Sequence, residues 1–195
     1  MKNSKIPIVS KSVVVPFILI TSLFALWGFA NDITNPMVSA FKKVLELDNF
    51  QASLVQMAFY GGYFTMALPA AIFVNKYSYK KGILLGLTLY AVGALLFYPA
   101  ANTGSFPLML SGLFIVALGF SLQQTVANPL AIALGPISTG SQRLTLAGGI
   151  NNVGTTIGPV IVSFAIFGGL SSGETELNLQ AVQTPYLFLG AAFVI

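Results

Sequence analysis

Long apolar runs dominate this sequence, and their length limits where such a chain can fold. A hydrocarbon core about 30 Å thick needs roughly 20 mainly apolar helical residues to cross it. Five runs meet that need, at about 13–41, 50–74, 82–99, 108–134 and 144–167. A sixth begins near 185 and reaches the last residue, Ile195. Its 11 residues make about 16 Å of helix, half a crossing. It reads as a truncated span, so the chain is expected to be part of a longer protein whose C-terminal half is absent. Only 7% of the 195 residues are charged, against about a quarter in a soluble domain. The expected fold class is an all-α membrane protein.

Residues 1–12 carry Lys2, Lys5 and Lys11 ahead of the first run. A cleavable signal has an apolar core of only about 7–15 residues followed by a small-residue cleavage site. Here the apolar stretch continues far past that length, so residues 13–195 are read as one bundle with its first helix retained. With a cytoplasmic N-terminus, the inner segments hold Lys2, Lys5, Lys11, Lys76, Lys80, Lys81 and Arg143, and the outer ones only Lys42 and Lys43. That asymmetry satisfies the positive-inside rule. The reading is a multi-pass membrane protein with its N-terminus on the cytoplasmic side.

His and Cys are both absent. Disulfides, Cys/His metal sites, thiol catalysis and Ser-His-Asp triads are thereby excluded. No Walker or dinucleotide motif occurs, and the net charge of +4 forms no basic stripe, which argues against nucleic acid. The spans hold a single acid, Asp32, too little for an intramembrane enzyme. Neither an enzyme nor a resident cofactor or metal is expected.

The first span ends Ile33-Thr34-Asn35-Pro36-Met37, and the fourth carries Val126-Ala127-Asn128-Pro129-Leu130. From 35 to 128 the offset is 93 residues, which is three spans. Three is odd, so the two copies run in opposite directions across the bilayer, as in the 3+3 inverted repeats of many transporters. Proline deprives the helix of one backbone donor and can kink it.

Polar side chains at membrane depth usually face other helices or a water-filled cavity. At about 100° per residue, Trp27, Asn31, Asp32 and Asn35 share one side of the first span. Gln56, Tyr60 and Tyr63 cluster on the second, Ser121, Gln124 and Asn128 on the fourth, and Gly148, Asn151 and Thr155 on the fifth. Amides donate and accept, matching hydroxyl-bearing ligands, and an aromatic ring suits the apolar face of a sugar. Four matching faces point to a cavity for a neutral polyol. The alternative is that these groups only bind helices to one another, in a scaffold, a sensor or a self-assembling channel. Asp32 is the proton-coupling candidate, as the one carboxyl within a span.

The whole chain resembles the N-terminal half of a major facilitator superfamily sugar transporter, in the branch of fucose–proton symporters and bacterial glucose/galactose transporters. The resemblance rests on Leu26-Trp27-Gly28-Phe29-Ala30-Asn31-Asp32, Asn49-Phe50-Gln51-Ala52 and Ala58-Phe59-Tyr60-Gly61-Gly62-Tyr63-Phe64. It continues through Thr125-Val126-Ala127-Asn128-Pro129 and Gln183-Thr184-Pro185-Tyr186. The superfamily's loop signature, G-x-x-x-D-R/K-x-G-R-R/K, is degenerate here. Lys76 and Lys80 match its basic positions, but Asn75 stands in place of the acid. The resemblance implies six helices as half of a twelve-helix carrier, alternating access, and a hexose held near the midplane against the missing half. Coupling to H+ or Na+ would be expected. In the fucose branch, the positions matching Asn35 and Gln124 carry carboxylates, so the amides here point toward a glucose/galactose-like sugar. The expected polar contacts are Asn31, Asn35, Gln56, Gln124, Asn128 and Asn151, with Trp27 and Tyr60 as stacking rings.

Overall fold

The computed structural model describes residues 7–32 and 46–167. Within them lie five long helices: α1 (Val14–Asp32), α2 (Asn49–Lys76), α3 (Tyr79–Thr103), α4 (Phe106–Ala133) and α5 (Gly140–Phe167). Short 3-10 turns at Lys11–Val13 and Ile137–Thr139 precede α1 and α5. Among the described residues, four helices are long and apolar enough to cross a membrane, namely α1 to α4. The 28 residues of α5 would make about 42 Å of helix, ample in length. Asn151, Asn152, Thr155 and Thr156 near its middle dilute its apolar character. The expected end of the first span, near residue 41, and the expected sixth span at 185–195 fall outside the described residues.

Two boundaries differ from the sequence reading by four residues, the largest differences. The third span was expected to end at Pro99, yet α3 carries Pro99 inside and runs on to Thr103. A proline costs a helix one hydrogen bond but does not have to end it where surrounding helices hold it. Likewise α5 starts at Gly140, ahead of the apolar run, because the preceding 3-10 turn leads directly into it. Pro129 is also carried within a helix, α4. The start of α2 is closed by a capping box: Asp48 accepts from the Gln51 amide at 2.7 Å, and the Gln51 side chain accepts from the Asp48 amide at 3.1 Å.

Packing divides the helices into two groups. α1 lies along α5, while α2 and α3 each lie along α4, and contacts between the groups are fewer. Apolar side chains gain little by leaving lipid for protein, so close backbone approach has to supply much of the attraction. Glycine permits it. A Cβ on Gly93 of α3 would stand 2.7 Å from the Val116 nitrogen and 2.8 Å from the Gly112 oxygen of α4. In the other group, a Cβ on Gly158 would stand 2.8 Å from the Phe29 oxygen, and Gly154 packs still closer on Ala25. The core holds Phe24 and Trp27 of α1, Phe59 of α2, Tyr90 and Phe97 of α3, and Leu113, Val116 and Phe120 of α4. α2 is the least buried of the four apolar spans and α4 the most.

Candidate functional site

The two helix groups meet around a cavity of about 320 Å³, lined by Phe24 and Trp27 of α1, Gln124 and Asn128 of α4, and Leu144, Gly148 and Asn151 of α5. Three amides and an indole from three helices thus face one space. Sequence spacing on each helix explains how. Gln124 and Asn128 are four apart, one turn of α4, and Gly148 and Asn151 are three apart on α5. Between them, Gly148 leaves open space, since a Cβ there would meet none of the described residues within 4 Å.

Each lining group has distinct obligations. Gln124 is exposed and Asn128 half-buried, although they stand on the most buried helix. Asn151 donates from Nδ2 to the Phe24 carbonyl at 2.9 Å, so half of its amide already ties α5 to α1. Among the described residues its side-chain oxygen accepts no hydrogen bond. Trp27 is 5% exposed and packs edge-on against Phe24, with ring centroids 5.3 Å apart. Among the described residues its buried indole Nε1 has no hydrogen-bond partner.

The remaining expected site residues are placed elsewhere. Asn31 and Asp32 are half-buried at the end of α1 and do not line the cavity. Gln56 and Tyr60 are exposed on α2, away from this cavity. The expected common face of α2 is split: Tyr63 turns inward, stacked on Phe120 with centroids 6.5 Å apart, while Tyr60 is 64% exposed. Ser121 is also no cavity group. It is buried and donates to the Tyr63 carbonyl at 3.0 Å, binding α4 to α2. Thr155 donates to Asn152 of its own helix. Asn35 lies outside the described residues. Phe24 and Leu144 were missed by the sequence reading, because apolar residues on apolar helices carry no local mark of facing a cavity.

Known proteins share this sequence and arrangement. An L-fucose-proton symporter of Haemophilus influenzae is 50% identical over 99% of the chain and 50% of its own length. A glucose/galactose transporter of Brucella abortus is 38% identical over 90% of the chain and 43% of its own. A crystal structure of the Escherichia coli fucose:proton symporter superposes with a TM-score of 0.80 at 39% identity, over 94% of this chain and 48% of that one. The chain spans about half the length of the curated relatives it matches. These relatives are named as symporters and transporters, not as enzymes. The sequence model of the Major Facilitator Superfamily matches residues 18–195, nearly the whole chain. The chain belongs to the Major Facilitator Superfamily.

Proposed function

We propose that this chain is the N-terminal half of a secondary transporter for a hexose, working by alternating access and coupled to a cation. The observation that carries this reading is the convergence of Gln124, Asn128, Asn151 and Trp27 on one cavity. Its size lies at the lower end of small-molecule pockets. Neutral donors and acceptors beside an indole suit a sugar, and the named relatives carry fucose, or glucose and galactose. Under this reading Gln124, Asn128 and Asn151 bind sugar hydroxyls and Trp27 covers the ring. Asn31 and Asp32 follow about one turn beyond Trp27 on α1, with Asp32 as the proton carrier. Gln56 and Tyr60 share the outward side of α2 with Met57, Phe64 and Leu68, all of them exposed. They would reach sugar only where a second half closes over them. The N-terminus would lie on the cytoplasmic side of the bacterial inner membrane.

The packing also supports a 3+3 inverted repeat. Under the 93-residue offset, α1 corresponds to α4 and α2 to α5. The pairs α1–α5 and α2–α4 are then counterparts, and both are extensive here. The counterpart of α3 packing on α4 is a sixth helix packing on α1. A groove of about 780 Å³ lies between α1, α3 and α4, with Pro16, Leu19, Ile20 and Leu23 as one wall. A further helix of the same carrier would fit against that wall.

Two bonds favour the scaffold reading locally, since Asn151 and Ser121 each join helices. Reconstitution of the full-length protein decides between them. Saturable hexose counterflow in liposomes is the expected result, and its absence from well-folded protein rejects the carrier.

A further inference from the structure

Arg143, on the first turn of α5, is completely buried. Among the described residues it has no carboxylate partner, yet all five of its N–H donors are used. Nε donates to the Ala131 carbonyl at 3.1 Å, and Nη2 donates to the carbonyls of Ile132 and of Pro136, the latter at 2.9 Å. Nη1 donates to the Ile8 carbonyl at 2.9 Å and to the Thr139 hydroxyl at 2.8 Å. These acceptors belong to three pieces of chain: the last turn of α4, the connection to α5, and the segment before α1.

The last four carbonyls of a helix lack partners within it. In α4, Leu130 receives the Leu134 amide at 3.1 Å and Ala133 the Gly135 amide at 2.9 Å. Arg143 takes the two that are left, and its charge sits at the negative end of the helix dipole. Gly135 makes room for it: a Cβ there would stand 2.6 Å from Nη1. A buried cation without an acid is costly unless its hydrogen bonds are complete, and here they are.

The position matters because contacts between the two helix groups are fewer than those within them. Asn128 stands about one turn before Ala131, and Leu144 follows Arg143 directly; Asn128 and Leu144 both line the cavity. We infer that Arg143 is a positioning residue: it clasps α4, α5 and the segment leading into α1 at one end of the cavity and thereby sets the separation of Asn128 and Gln124 from Asn151 and Trp27. This rests on the hexose-carrier reading for its consequence, not for its geometry. Lysine cannot replace it, because one ammonium has three donors and cannot span acceptors on three segments.

The test uses the full-length transporter with any cysteines beyond this chain replaced. Spin labels go on Val15→Cys of α1 and Ile137→Cys of the α4–α5 connection, both exposed. Arg143→Lys should broaden the distance distribution between them and weaken equilibrium binding of radiolabelled hexose by about tenfold in the folded, monodisperse fraction. Thr139→Val, which removes one acceptor of five, should act in the same direction by about twofold and guards against a failure of Arg143→Lys to fold. Unbroadened distances overturn the clasp, whatever happens to sugar. Broadened distances with unchanged affinity overturn the positioning role, as does a loss of folded yield alone. If the unsubstituted protein binds no hexose, the carrier reading fails, while the distance measurement still decides whether the clasp exists.

Discussion

Gln124 and Asn151 border the same cavity but hold different obligations, and substitution should separate them. Gln124 is exposed at the cavity, so Gln124→Ala is expected to remove sugar hydrogen bonds alone. A neutral hydrogen bond is worth about 0.5–1.5 kcal/mol, or roughly threefold to tenfold in affinity. Asn151→Ala also deletes the bond to the Phe24 carbonyl. It should therefore lower both sugar affinity and the midpoint of thermal unfolding in detergent, whereas Gln124→Ala leaves unfolding unchanged. Unchanged affinity in both variants, measured on folded protein, would reject the two amides as sugar contacts. Asp32 calls for a different assay. Asp32→Asn keeps the shape but cannot carry a proton, so pH-driven accumulation should vanish while sugar exchange down its gradient persists. Full pH-driven uptake by that variant would pass the coupling role to another acid or to another ion.

At the level of helices, glycine placement decides how closely the two groups are built. Gly154 faces α1 so tightly that a Cβ would collide with the Ala25 carbonyl and stand 2.8 Å from the Phe29 nitrogen. Neither is a flexible side-chain tip, so the helices must move apart. Gly154→Ala is expected to destabilise the bundle by about 1–3 kcal/mol, seen as a lower thermal midpoint. Gly61 on α2 is the opposite case, since a Cβ added there would meet none of the described residues within 4 Å. Gly61→Ala should be neutral or stabilise by about 0.5–1 kcal/mol through helix propensity. A reversed order of midpoints would contradict the close α1–α5 packing. The sequence displays both glycines alike; only their neighbours tell them apart.

At the level of the whole molecule, the topology makes a prediction with two sides. Cysteines placed at Asn75, near the end of α2, and at Ser172, outside the described residues, should react with an impermeant thiol reagent from opposite faces of the membrane. Reaction of both from the same face of intact cells would reject this topology, and reaction of the Asn75 cysteine from outside would reject the cytoplasmic N-terminus. Much of the fold was legible beforehand, because a helix must satisfy its own backbone in lipid and the apolar run that does so is visible in one dimension. The family was legible too, through blocks such as Leu26-Trp27-Gly28 and Ala127-Asn128-Pro129. Trp27, Gln124, Asn128 and Asn151 were singled out by helical periodicity, and the fold brings these four together. Periodicity names a face without naming what the face meets, so Ser121 and Tyr63 looked like cavity groups and instead join α4 to α2. Arg143 was read as one more inside charge, and nothing local marks a guanidinium whose partners lie up to 135 residues away. Composition and period alone thus determined a membrane-embedded helical bundle with polar faces. Which faces enclose a cavity, which merely hold helices together, and which cation is locked inside were decided by tertiary packing, because each depends on groups that chain order keeps far apart.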